Sequence, residues 1–134
     1  MIALALLLAG CVPETLYRVD LEGEVLAEPN GTITLTFAYH WWGEGVLSTP
    51  FQPIHSLEMD GPGPFSTSLD YFPEDGEGLL VYGWQDLDGD NQLCAPGAGE
   101  EPSGLVEVTD FPTFPVQVLL PLDATCSGPE TLLP

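Results

Sequence analysis

Residues 32–41, TITLTFAYHW, alternate with a period of two. Ile33, Leu35, Phe37, Tyr39 and Trp41 fall on one side, and Thr32, Thr34, Thr36 and His40 on the other. A helix cannot gather that pattern onto one face, because its period is 3.6 residues, whereas successive side chains of a strand point to opposite faces. The segment therefore reads as a strand with one face against a core. Residues 17–25 repeat the pattern, with Tyr17, Val19, Leu21 and Val25 opposed to Arg18, Asp20, Glu22 and Glu24. Phe65, Thr67, Leu69 and Tyr71 share a face, as do Val106 and Val108, and Val116, Val118, Leu120 and Leu122. A short strand is expected near Ile54–Met59, and the nearly continuous apolar run Leu79 to Trp84 reads as a central strand. The 15 Gly and 14 Pro punctuate these runs and argue against long helices. The expectation is an all-β chain forming a six- to seven-stranded antiparallel β-sandwich. Between the first two strands, Glu28-Pro29-Asn30-Gly31 is a turn, and its Asn-Gly pair is the strongest short signal for a β-hairpin.

Charge restricts function more than fold. The 134 residues carry 21 Asp and Glu against a single Arg, Arg18, for a formal net charge of −20. Phosphate contacts need clustered Lys and Arg, so nucleic acid is excluded as a partner, and so is a polybasic membrane-surface helix. With 44 % apolar residues the chain has the means to bury one domain's core.

The start of the chain separates from the rest. Residues 1–10, MIALALLLAG, are an apolar run too short to span a bilayer, and the run ends in Leu8-Ala9-Gly10-Cys11. This resembles the lipobox of bacterial lipoproteins. The resemblance implies a signal peptide over 1–10, cleavage before Cys11, lipid on its thiol and on the new amine, and a lipidated tether over 11–16. Two acyl signals would make the anchoring stable, since a single chain binds only marginally. No Lys or Arg precedes the apolar run, so the initiator amine or an upstream residue would supply the positive charge. The second residue of the mature chain, Val12, is not the Asp of an inner-membrane retention signal, which points to the outer membrane of a bacterial cell envelope. With Cys11 lipidated, Cys94 and Cys126 remain as a pair in an oxidising compartment. A bridge between them closes about thirty residues, worth about 3–4 kcal/mol in the chain-entropy model. The β-sandwich is expected over 17–126, with residues 127–134 a tail laid on its surface.

One motif carries chemistry. After the Leu79–Trp84 run comes Asp86-Leu87-Asp88-Gly89-Asp90-Asn91-Gln92-Leu93, with carboxylates at relative positions 1, 3 and 5 and the Gln92 carbonyl available at position 7. This is the opening of an EF-hand-type calcium loop. Position 6 is Asn91 rather than Gly, a substitution Asn bears because it enters the left-handed region readily. Position 12 is Gly97, so the bidentate Glu is missing there, and Glu100 or Glu101 would replace it if the loop folds back. The competing reading is a solvated acidic turn whose Asp side chains cap their own amides.

The stretch Gly78 to Asn91, followed by Glu101-Pro102-Ser103-Gly104, resembles a transthyretin-like (prealbumin-like) family of bacterial β-sandwiches. In that family a Tyr-rich strand runs into an Asp-x-Asp/Asn-Gly-Asp/Asn loop. The resemblance covers about residues 78–122. It implies a seven-strand sandwich, transthyretin-like or Ig-like, in an extracytoplasmic location, and implies no enzyme. Cys94 inside the loop departs from the pattern.

Elsewhere the chemistry is thin. His40 and His55 are the only histidines, no zinc-ligand spacing occurs, and no Gly-x-Ser-x-Gly elbow is present. His40, on the Thr-rich face, reads as a surface imidazole. Trp41 shares the Ile33–Tyr39 face and reads as core, while Trp42 points the other way, as an exposed aromatic contact would. The Asn30-Gly31-Thr32 glycosylation sequon is set aside because the lipobox is bacterial. The expected function is a lipid-anchored structural or interaction module with a calcium-ordered loop and no catalytic residues, meeting an envelope protein or glycan. The alternative is a surface carbohydrate-binding or hydrolytic sandwich.

Overall fold

The computed structural model describes residues 17–41, 51–71, 77–108 and 116–133. Strands β1 (Tyr17–Leu26), β2 (Thr32–Trp41), β3 (Gln52–Met59), β4 (Gly63–Tyr71), β5 (Glu77–Asp86), β6 (Pro102–Val108), β7 (Val116–Pro121) and β8 (Ala124–Thr125) are followed by a one-turn helix, α1 (Pro129–Leu132). They form a three-stranded sheet in the order β4-β1-β7 and a five-stranded sheet in the order β3-β2-β5-β6-β8. This is an all-β sandwich. Among the described residues no helix is long and apolar enough to cross a membrane.

The period-two faces become the core. Val19, Leu21 and Val25 of β1 and Phe65 and Leu69 of β4 pack toward Ile33, Leu35 and Phe37 of β2 and Leu79 and Val81 of β5. The rings of Phe37 and Phe65 meet edge to face across the two sheets at 6.2 Å. Burying each of these large side chains is worth about 1.5–3 kcal/mol. Gly104 of β6 lets the layers close, since a Cβ there would overlap the Pro121 carbonyl of β7.

Several expectations are corrected. The first is the hairpin: β1 and β2 lie in different sheets, so residues 27–31 arch across the sandwich. Asn30 (φ 77°) and Gly31 (φ 97°) adopt the left-handed backbone that Asn-Gly favours. The arch carbonyls are satisfied by a side chain from the opposite sheet, because Gln85 Nε2 donates to Glu28 O at 2.7 Å and to Asn30 O at 2.6 Å. Both flanking strands carry an apolar face, and an arch turns those faces toward each other. The second correction is direction. All pairings are antiparallel except β1 with β7, which is parallel. β7 follows β6, which lies in the other sheet, so no hairpin to a sequence neighbour forces it antiparallel to β1.

The third correction is the strand count. The two residues of β8, paired with Pro102 and Ser103, are too few to show a period, and α1 is equally short. The fourth is His40, which is 6 % exposed rather than a surface imidazole. It follows Ala38 on the outer face of β2, and Ala38 lies opposite Leu80 of β5. That end of the outer face is withdrawn from solvent: Ala38 and Leu80 are fully buried, and Tyr82 is 5 % exposed. The Phe51 ring stands edge-on to Tyr82 at 6.3 Å, and the Tyr82 hydroxyl donates to Ser127 O at 2.9 Å. The outer face of the three-stranded sheet does follow the alternation, with Arg18, Asp20, Glu22 and Glu24 exposed.

Candidate metal centre

β5 ends at Asp86 and β6 begins at Pro102, so residues 87–101 form the loop joining two neighbouring antiparallel strands. Its first half is held by its own carboxylates. Asp86 Oδ1 accepts from the Gly89 N–H at 2.7 Å and Asp86 Oδ2 from the Asn91 N–H at 2.8 Å. Asp88 Oδ1 accepts from the Asp90 N–H at 3.0 Å, and Asp90 Oδ1 from the Gln92 N–H at 2.8 Å. These bonds are the capping that short acidic side chains perform in turns. They also curl the loop so that its carboxylates converge. Gly89 (φ 79°) and Asn91 (φ 58°) supply the left-handed residues this curl needs.

The second half is organised by Glu101, which is 1 % exposed. Its Oε1 accepts from the Leu87 N–H at 3.1 Å and its Oε2 from the Cys94 N–H at 2.7 Å. Its carbonyl accepts from the Cys126 N–H at 2.9 Å. Its own N–H is directed at Cys94 Sγ at 3.1 Å. Cys94 and Cys126 stand at disulfide distance, with Sγ atoms 2.07 Å and Cα atoms 5.5 Å apart. Glu101 thus ties the start and the middle of the loop through its buried carboxylate, and the segment after β8 through its backbone carbonyl. A buried charge persists where it is hydrogen-bonded in this manner.

The two halves meet in a group of four. Asp86, Asp88, Asp90 and Glu101 each offer a carboxylate oxygen, and these oxygens all lie within 4.8 Å of one another. Oxygens bound to one calcium ion at ~2.4 Å can be at most ~4.8 Å apart, so the group has the dimensions of a cation shell. It can hold a metal ion. Glu101, not Glu100, joins it, and Glu100 is exposed. Gln92 enters the loop's bonding through its N–H. The register explains the choice of Glu: Trp84 pairs with Ser103, and continuing that pairing by two residues brings Asp86 opposite Glu101. No sequence motif carries this information, but knowledge of the β5–β6 pairing would have supplied it.

The electrostatics of the Asp residues differ. Desolvation pushes the Asp86 carboxyl up, but the Asn91 and Gly89 amides, with the Glu101 and Asp88 side chains, outweigh it and hold Asp86 below its ordinary value. For Asp88 the Asp90 amide pulls down, and against it desolvation and the charges of Asp90 and Asp86 leave the carboxyl raised. The charges of Asp90 and Asp86 thus bear on Asp88, and a bound cation would offset them.

The remaining sequence candidates fall elsewhere. Cys11, Trp42 and the side chain of Trp41 lie outside the described residues. Trp84, two residues before Asp86, is half-buried. His55 donates to or accepts from Thr67 Oγ1 at 2.9 Å, linking β3 to β4. An open depression of about 420 Å³ beside Glu22, Pro64 and Gln117 belongs to the three-stranded sheet, which does not carry the loop. No family model, curated protein or solved structure matches this chain.

Proposed function

We propose that this chain is a lipid-anchored module of the bacterial cell envelope, a structural or interaction domain rather than an enzyme, whose 86–101 loop binds one calcium ion. The observation that carries the metal reading is the convergence of Asp86, Asp88, Asp90 and Glu101 within 4.8 Å. Calcium suits them better than magnesium, which keeps its waters and takes one or two carboxylates. Glu101 takes the part of the missing position-12 Glu, but both of its oxygens already accept loop amides. Affinity is therefore expected in the extracellular range of ~10⁻⁴–10⁻³ M. On this reading the scaffold belongs with the transthyretin-like envelope sandwiches, on the strength of the stretch from Gly78 to Asn91 and of Glu101 to Gly104. The outer-membrane address rests on Leu8-Ala9-Gly10-Cys11 and Val12.

Calorimetric titration of the purified protein tests the metal. A saturable one-to-one calcium isotherm is expected, and heats that do not saturate and equal those of a sodium control contradict it. The anchor is tested by palmitate labelling in cells: Cys11→Ser should abolish incorporation, and equal labelling of that variant contradicts lipidation at Cys11.

A further inference from the structure

We propose that the Cys94–Cys126 bridge and the Glu101 carboxylate form a redox-sensitive clasp, whose reduction opens the 87–101 loop while the sandwich stays folded. Four observations carry this. Cys126 is exposed and Cys94 half-exposed, so the bridge joins two residues at the surface. Both cysteines hold left-handed φ values, 48° and 51°, a conformation residues with a Cβ disfavour and regain freedom from once the bond is cut. Among the described residues, the hydrogen bonds that close the second half of the loop onto the rest pass through Glu101 or its two cysteine neighbours. Among the described residues, no member of the apolar core belongs to 87–101 or 123–133, so opening the clasp removes nothing from the core. A segment held by polar contacts without apolar burial is the kind that opens locally.

The reductant is an external dithiol. Its thiolate attacks Cys126 Sγ, the Cys94–Cys126 bond breaks, and the electron pair leaves on Cys94 Sγ, which takes up a proton. The dithiol's second thiolate then displaces Cys126, giving two protein thiols and one oxidised dithiol, a transfer of two electrons. The proposal rests on the calcium reading in one respect only: an opened loop carries Asp88 and Asp90 away from Glu101, which the β5–β6 register keeps opposite Asp86, and weakens the cation. By linkage, bound calcium then makes the bridge harder to reduce.

Hydrogen exchange of the purified protein, oxidised and after dithiothreitol without denaturant, tests the clasp. The Leu87, Cys94 and Cys126 amides should lose at least about tenfold in protection, while Leu35 and Val81 keep theirs. Cys94→Ser/Cys126→Ser should reproduce the reduced pattern without reagent. Unchanged protection at Leu87 and Cys94, loss of protection throughout β2 and β5, or a bridge that dithiothreitol leaves intact under these conditions each overturns the clasp. Calcium titration of both forms tests the coupling, with at least about tenfold weaker binding expected after reduction. Equal affinities overturn the coupling alone, and no binding to the oxidised form overturns the calcium reading together with the coupling, whereas the exchange result judges the clasp by itself.

Discussion

The sandwich core and the acidic loop hold themselves by opposite means. The core is closed by apolar faces, with Leu21, Ile33, Leu35 and Phe37 fully buried. The loop has almost nothing apolar to bury: Leu87 is 45 % exposed, and cohesion comes from amides donating to carboxylates. The difference has a thermodynamic consequence. Apolar burial is shared among many neighbours, so its loss is felt by the whole fold. The loop's bonds are local, charged and few, so their loss is expected to open a segment and not the whole fold.

The greatest loss of stability is expected from a change in the core. Phe37→Ala removes a fully buried ring that contacts Phe65 and should cost about 3–5 kcal/mol of global stability in urea denaturation. The folded fraction of that variant should bind calcium as the wild type does. Next comes the loop. Glu101→Gln replaces a buried acceptor of two amide hydrogens by a group with a single acceptor oxygen, and should cost about 1.5–3 kcal/mol in loop closure. Hydrogen exchange at Leu87 and Cys94 should register this loss more strongly than exchange in β2.

Tyr82 joins the two regions, since its hydroxyl reaches from β5 to the residue after Cys126. Its phenol is pushed up to about 12, first by burial and then by the charge of Glu130, with a smaller opposing effect from Ser103. The stability it contributes is fully present below its ordinary value of 10.0 and is lost as pH rises through about 12. Absorbance titration should show one tyrosine ionising near pH 12, together with release of the tail, and Tyr82→Phe should remove that step.

The smallest effect has the most telling sign. Asp88 is raised, so its stabilising contribution is full below its ordinary value and lost as pH rises through the folded value; Asp86 is lowered, so its contribution is present above its ordinary value and lost as pH falls through the folded value. Asp88→Asn keeps an oxygen for the Asp90 amide and removes the unfavourable charge. It should slightly raise the melting temperature at neutral pH without calcium, and diminish the gain that calcium gives.

The two regions also differed in how far they could be read from sequence. The core was legible because one-face burial imposes a period that survives in the letters: Val19, Leu21, Ile33, Leu35 and Phe37 are where the alternation put them. Pairing was not legible. Asn30-Gly31 encodes a left-handed turn, but whether the chain then returns beside β1 or crosses the sandwich depends on what the opposite sheet offers, here Gln85. His40 went astray because burial of the outer face depends on distant segments that sequence spacing cannot supply. In the loop, Asp86, Asp88 and Asp90 were legible from spacing, whereas Glu101 over Glu100 followed only from strand register.

The four carboxylates are proposed as a cation site, as against an acidic turn. The direct measurement is the melting temperature at constant ionic strength, calcium against sodium, for the wild type and for Asp88→Asn/Asp90→Asn. Constant ionic strength matters because any salt screens a net charge of −20. At calcium about tenfold above Kd, specific binding adds about 1.4 kcal/mol to the folded state, roughly 5 °C for a domain of this size. That gain is expected in the wild type and little of it in the double variant; equal gains in both would mean that calcium acts as a diffuse counter-ion and that the loop holds no bound ion.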